Sequence, residues 1–470
     1  MFESDAHLID TMAEAGRAEA AAAARRLAAV GELYARRASE WAERKLWCVD
    51  PFEAVAAEVS AAQNISRGRA GTQIRYAQVL RERLPRIAAV FAAGQVDLRV
   101  VSAIINRTSN VTDDAISTVD DALARCAPRW MKLSGPTLAD RIDTVIAKFD
   151  PDGVRVPPSV DDSRYVEVGP TVPGMAGIWA NIHAADAAAF DARLDALAAT
   201  VCPNDPRTAM QRRSDAVGAL AAGADRLMCT CGLEDCPAVG GGAAPVVIHL
   251  LAEQATVEAN GDAPGYLLGF GIQPAESVRH LARSAKLKPV ITPVGQDCPG
   301  YRPPVALAEF IRWRDLTCRW PGCDAPVCDT DHTVPYPFGP THPSNLKLYC
   351  RVHHLVKTFY CGPDGWMESQ SPDGTVTFTA PTGHRYTTLP AGAQLYPTLS
   401  TPTGSLVRTD QPPQATGNRG LAMPTRRQTR DQARRDRTRR ERCQRAELNA
   451  SRNGDFSGAG PSPAADPPPF

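Results

Sequence analysis

The chain has 470 residues, 43% of them hydrophobic, and its 52 basic and 52 acidic side chains cancel to a formal net charge of zero. That length and apolar content allow two or three domains with real cores and exclude a wholly disordered protein. No apolar run approaches the ~20 residues needed to cross a bilayer, and the start, Met1-Phe-Glu-Ser-Asp5, lacks the basic and apolar segments of a secretory signal, so a cytoplasmic protein without membrane contact is expected. The thirteen cysteines are odd in number and grouped in short knuckles, which favours metal binding in a reducing compartment over a disulfide framework.

The pattern predicts an α+β chain. Residues 7–46 are Ala-rich, with Leu8, Met12, Leu27, Leu33 and Trp41 among charges, the signal of a long helix. Further helical segments follow over 51–150, broken near Pro85, at Gly94, at Ser109-Asn110 and at Gly135-Pro136, so residues 1–155 read as a mostly helical domain. Within it, 55–63 and 70–84 flank Asn64-Ile-Ser-Arg-Gly68 in the shape of a helix-turn-helix, a form more often ordinary bundle structure than a DNA reader.

From 156 to 300 an α+β region is expected, continuous with the first domain. Tyr165-Val-Glu-Val168 and Gly177-Ile-Trp-Ala-Asn-Ile182 alternate as paired strands, 184–201 and 211–227 read as helices, 246–251 as a strand and 274–285 as a helix. Cys229, Cys231 and Cys236 place three thiols close together, candidates for a second zinc with His249 as a conceivable fourth ligand. The Gly269-Phe-Gly271 pair lacks the third glycine and the lysine of a phosphate loop.

Residues 301–395 carry the chemistry. Cys318 and Cys323 are separated by four residues and Cys350 and His353 by two, so two short knuckles can close a tetrahedral Cys₃His shell around structural Zn²⁺. Cys328 is an alternative ligand. Asp331 and His354 remain beside that shell, a carboxylate and an imidazole suited to a harder, exchangeable Mg²⁺ or Mn²⁺. His332 follows Asp331 directly, so on an extended segment its ring points away from the Asp331 side chain; a neutral imidazole there suits general-base duty, with Asn345 as its orienting group. Lys357, one helical turn after His353, is a candidate phosphate contact. His342 and His384 read as surface residues, and 375–379 and 384–388 as two strands.

The segment from Cys318 to Lys357, with Asp331-His332, Asn345 and Cys350-Arg-Val-His353-His354, resembles an HNH nuclease of the ββα-metal type. The resemblance implies that Asp331 and His354 hold the catalytic ion, that His332 is the base and that Asn345 orients it. The family often carries two Cys-x-x-Cys knuckles; here the first is longer and the second ends in His353. Over roughly 50–395, with a helical start, Gly269-Phe-Gly-Ile-Gln-Pro-Ala-Glu276 before a helix and the closing Cys318-Arg-Trp-Pro-Gly-Cys323 nuclease segment, the chain resembles actinobacterial HNH proteins with a long amino-terminal domain of unknown function, including the mycobacterial 13E12-repeat proteins.

From 396 onward Pro, Thr, Ser, Gln and Arg dominate, and a disordered tail is expected. Residues 421–452 hold eleven arginines against four acids, a patch suited to salt-dependent phosphate attraction through Arg426, Arg427, Arg434, Arg435, Arg439 and Arg440. The expected function is hydrolysis of DNA phosphodiester bonds. The alternative is a DNA-binding protein of a mobile element or repeat with an inactive, zinc-binding module. Oligomeric state is not legible in the sequence.

Overall fold

The computed structural model describes residues 4–156, 164–236, 238, 249–268, 271–283, 285–293, 298, 300–326, 328–362, 364–406 and 423–457, the side chains of 184, 185 and 452–457 excepted. They divide into two compact units, one of residues 158–289 and one that joins 1–157 to 290–470. The middle region is thus a unit of its own, and the helical start shares one unit with the cysteine-rich module.

In the larger unit, α1 (Asp5–Glu40), α2 (Pro51–Gln63), α3 (Arg67–Glu82), α4 (Pro85–Ala92), α5 (Leu98–Arg107), α6 (Asp113–Cys126) and α7 (Gly135–Phe149) form a bundle. Its core is one cluster running from Ala20 and Leu27 through Ile74, Phe91 and Ile104 to Leu123 and Ile146. Local chemistry sets the breaks. The Asp50 and Ser66 side chains accept the Glu53 and Arg69 backbone N–H groups at the starts of α2 and α3, and Asn64 takes the left-handed conformation that ends α2. Pro51 to Ala61 of α2 are all buried, so the first helix of this pair presents no free face, whereas α3 buries one stripe and leaves Arg69, Arg75 and Arg81 exposed.

The smaller unit contains β1 (Tyr165–Pro170) and β2 (Ala176–Asn181) as an antiparallel hairpin, then α8 (Ala184–Ala198) and α9 (Ala209–Ala221). The helices pack through Leu194, Leu197 and Ala216. A small sheet follows from β3 (Leu250–Leu251), with α10 (Gln254–Val257) between it and the strands β4 (Gly265–Leu267) and β5 (Gly271–Gln273), and α11 (Ala275–Ala282) ends the unit. Residues 246–248 of the expected strand at 246–251, and Gly269-Phe270, lie outside the described residues.

The chain re-enters the larger unit through α12 (Val305–Asp315). Then come β6 (Asp329–His332), β7 (Leu346–Tyr349) and α13 (Arg351–Phe359), followed by β8 (Met367–Gln370), β9 (Val376–Thr379), β10 (Arg385–Thr388) and α14 (Ala391–Leu395). β6 and β7 are antiparallel, with Asp331 opposite Lys347 and His332 opposite Leu346. β8 was not foreseen; it forms the edge of the three-stranded sheet β10-β9-β8.

This module is welded to the bundle by one apolar cluster, in which Val49, Ala57 and Ala61 meet Trp320, Tyr349, Val356, Tyr360 and Phe378. The Tyr360 hydroxyl donates to the Val49 carbonyl at 2.5 Å. Gly322 turns the first cysteine knuckle at φ 77°, and a Cβ there would meet Ser60 Oγ at 2.6 Å and the Ile65 carbonyl at 2.8 Å, so glycine is required both by conformation and by the close approach of α2.

The tail departs from expectation. Residues 430–457 form α15 (Arg430–Ser457), and three of its arginines are paired with the bundle: Arg430 contacts Asp50 and Glu53, and Arg442 and Arg445 reach Asp150 and the Val154 and Arg155 carbonyls. A segment with few apolar residues is ordered here by charge, through buried acids on the bundle.

Candidate metal centres

Cys318, Cys323, Cys350 and His353 place one ligand atom each within 4.8 Å of one another. Cys318 and Cys323 come from the knuckle after α12, Cys350 is the N-cap residue of α13 and His353 lies in its first turn. The His353 Nδ1 atom is 3.5 Å from Cys318 Sγ and 3.4 Å from Cys350 Sγ. The edge of a tetrahedron with Zn–S and Zn–N bonds of about 2.3 and 2.0 Å is about 3.5 Å, so the donor spacing fits a zinc ion. His353 is held by Trp320, whose ring stacks on it at 5.0 Å and 4°.

The charge state of the thiols points the same way. Burial and the neighbouring thiols push Cys318 well up; for Cys323 the contact with Cys318 works downward, but Cys350 and burial carry it up to about 12. Cys350, favoured by Cys318 and Cys323, goes strongly down. A dication at this point would stabilise all three as thiolates. Cys328 stands outside the set and donates its thiol to the Ala325 carbonyl at 3.1 Å.

A second cluster lies in the smaller unit. Cys202, Cys229, Cys231 and Cys236 meet the same 4.8 Å criterion, and Cys202 Sγ is 3.5 Å from Cys229 Sγ. The fourth member of the group is Cys202, from the loop after α8; His249 is exposed and not part of it. Asp205 joins the two contributing segments by accepting from the Thr230 N–H at 2.9 Å and from Arg207, which in turn donates to the Met228 carbonyl at 2.6 Å. Burial pushes Cys202 up to about 12, whereas Cys231, receiving the Leu233 backbone N–H, falls to about 7. Cys202 sits alone in the sequence, 27 residues before its nearest partner, with no knuckle spacing to announce it.

Beside the first cluster, the β6–β7–α13 unit gathers Asp331, His332 and His354. His354 Nε2 is 3.3 Å from Asp331 Oδ1, close to the roughly 3 Å separation of two adjacent ligands at about 2.1 Å around an octahedral ion. The pair fits a shared divalent cation in type and spacing. Asp331 is not free, however: Lys357 contacts its Oδ2 atom and the His332 carbonyl, and Lys347 lies 3.9 Å from the same carboxylate. Burial works to raise the Asp331 carboxyl, but His354, Lys357 and Lys347 outweigh it and hold it far below the usual range.

Behind Asp331 is Glu368 of β8, which accepts from Lys347 at 2.7 Å, lies 3.3 Å from Lys357 and receives the Tyr349 hydroxyl. The Lys347 side chain is fully buried and also donates to Thr333 Oγ1 at 2.9 Å; burial lowers its ammonium to about 8. Lys357 is thus an ion-pair partner of Asp331 and Glu368 inside the site. Its position, three residues after His354 on α13, puts both on one face.

His332 is buried and its ring stacks on Tyr301 at 5.3 Å and 19°. Burial lowers its pKa, outweighing Asp331, and so favours the neutral ring. Its polar contact is Thr341, at 2.9 Å from Nε2, and not Asn345. Asn345 instead ties the intervening loop: its side chain donates to the Val334 and Pro340 carbonyls and accepts the Val334 N–H, and its own carbonyl accepts the Thr333 N–H at 2.7 Å. It positions the backbone beside His332 rather than the imidazole. His342 is buried, with Nδ1 accepting the Ser344 N–H at 3.1 Å, contrary to the surface placement expected; His384 is exposed as expected.

Among the arginines assigned to nucleic acid, Arg426 is committed to Asp50 and the Cys48 carbonyl and Arg434 is half-buried, whereas Arg427, Arg435, Arg439 and Arg440 face outward. No described helix is long and apolar enough to cross a membrane.

These features define an α+β protein in which a helical bundle carries a strand–strand–helix unit beside a Cys₃His cluster, with a Cys₄ cluster in a second unit. The chain belongs to the family described as Domain of unknown function (DUF222), whose model matches residues 14–315 and ends three residues before Cys318. It is 43% identical to the uncharacterized protein Rv3776 of Mycobacterium tuberculosis, over 91% of this chain and 87% of that protein. It is 42% identical to the uncharacterized protein Rv2100 of the same organism, over 91% and 85%. No solved structure matches the chain.

Proposed function

We propose that residues 318–359 form a zinc-stapled HNH endonuclease centre of the ββα-metal type that hydrolyses DNA phosphodiester bonds. The observation that carries this reading is the meeting of Asp331 and His354 at 3.3 Å next to the buried His332, on two antiparallel strands and the helix that follows them. Cys318, Cys323, Cys350 and His353 would hold Zn²⁺ and fix the start of α13, and with it His354. A Mg²⁺ or Mn²⁺ ion at Asp331 and His354 would supply stabilisation of charge on the phosphoryl and leaving oxygens. His332 takes the proton from the attacking water, and the outward arginines of α15 attract the DNA backbone.

A plasmid-nicking assay with Mn²⁺ or Mg²⁺ tests the reading. The wild-type protein is expected to cut, and His332→Ala to lose ~10²–10⁴-fold in rate with zinc content unchanged. A His332→Ala protein that nicks as fast as wild type overturns the assignment of the base. The ion pairs that Lys357 and Lys347 make with Asp331 favour a second reading, a DNA-binding protein with a catalytically silent module. That protein would bind DNA in a salt-dependent manner and leave plasmid intact.

A further inference from the structure

We propose that the Lys357 ammonium is the resident counter-ion of Asp331 and that a divalent cation enters this site only by displacing it. The inference rests on the reading of Asp331 and His354 as a cation site. Two carboxylates, Asp331 and Glu368, face two ammonium groups, Lys347 and Lys357, in one largely buried cluster. The formal charge of these four groups is balanced. A dication added to all four would sit beside two like charges in surroundings that screen them poorly, so one ammonium must leave.

The two lysines differ in their freedom to do so. Lys347 is on a strand, its side chain fully buried, pinned at 2.7 Å to Glu368 and at 2.9 Å to Thr333. Lys357 projects from α13 with its side chain 12% exposed, and an unbranched four-carbon stem lets its ammonium swing to solvent while the helix stays in place. It holds the carboxylate oxygen Oδ2, whereas His354 faces Oδ1. Its departure opens the Asp331 carboxylate toward the imidazole and frees the His332 carbonyl, a second hard oxygen. The lysine would keep the buried carboxylate paired when the ion is absent and would set the concentration of ion needed to load the site.

The test is calorimetric titration of Mn²⁺ into the zinc-loaded full chain, compared across wild type, Lys357→Met, Lys357→Arg and Asp331→Asn. Lys357→Met is expected to bind Mn²⁺ at least tenfold more tightly than wild type, Lys357→Arg to retain the competition and bind no more tightly than wild type, and Asp331→Asn to lose the binding event. If Lys357→Met destroys the fold, judged by its melting curve, Lys357→Gln carries the same expectation. Wild-type binding that is lost in Asp331→Asn but unchanged or weakened in Lys357→Met overturns the displacement and leaves the cation site standing. Absence of Mn²⁺ binding in every variant overturns both.

Discussion

Asp150, in the turn after α7, receives both terminal nitrogens of Arg442, 292 residues further along the chain, at 2.7 and 3.1 Å. The same carboxylate accepts the Thr112 N–H at 2.9 Å, so one buried acid joins the bundle to the C-terminal helix. Asp150→Asn keeps the shape and removes the charge. Charge-assisted hydrogen bonds of this kind contribute about 1.5–3 kcal/mol, and a loss of that size is expected in urea unfolding. Arg442→Met should cost a similar amount, and the double variant less than the sum of the two. Additive effects would mean that the two groups do not stabilise each other.

Acid should release α15. Burial works to raise the carboxyls of Asp150, Glu441 and Glu53, but Arg442, Arg155 and the pair Arg67 and Arg430 respectively outweigh it, and all three are lowered from 3.8, 4.5 and 4.5. A lowered folded-state value means that the unfolded chain binds protons first. The stabilisation is therefore complete above about pH 4.5 and disappears as the pH falls through the depressed values, below 3.8 for Asp150. Asp50 has the opposite sign, because burial raises its carboxyl despite Arg430 and Arg426. Hydrogen exchange of residues 430–451 should show protection that is steady above pH 4.5 and lost in stronger acid. Protection that survives there at its neutral-pH level would remove the ion pairs as the cause of docking.

The parts of this molecule written in local spacing were legible from the sequence. The bundle helices announce themselves by periodicity and caps, and the Cys₃His cluster by two short knuckles whose four ligands the structure does bring together. What escaped depends on partners far away in the chain. Lys347 alternates with Leu346 and Leu348 and would ordinarily face solvent; it is buried because Glu368, on the unforeseen strand β8, meets it. The same holds for α15, which has no apolar stripe and is ordered by Asp50, Glu53 and Asp150. The partner of Asn345 is likewise set by the fold, since its amide serves the loop backbone and not the His332 ring.

Two metal equivalents per chain are expected, and they should be separable. Cys350→Ser removes a ligand of the cluster next to α13 and Cys202→Ser one from the smaller unit; each should lower bound zinc from two equivalents to one and reduce the melting temperature, because metal-binding free energy contributes directly to folding in such sites. His249→Ala should leave both equivalents in place, its side chain being outside the Cys₄ group. Zinc measured by elemental analysis of the purified variants decides it. A Cys202→Ser protein that retains two ions would refute the four-thiol assignment.

Thr341 fixes which nitrogen of His332 is basic. Its hydroxyl donates to the Gly300 carbonyl at 2.6 Å, so at 2.9 Å from the imidazole the same oxygen is left as an acceptor and Nε2 must carry the hydrogen. The lone pair then resides on Nδ1, the nitrogen that would take a proton from water. Thr341→Val preserves the side-chain volume and abolishes this choice of tautomer. Loss of one buried hydrogen bond, about 1–3 kcal/mol, corresponds to a fall in nicking rate of roughly 10- to 100-fold, with zinc content unaltered. Thr341→Ser, which keeps the hydroxyl, should recover most of the rate. If the valine variant cuts at the wild-type rate, the hydroxyl does not set the proton on His332.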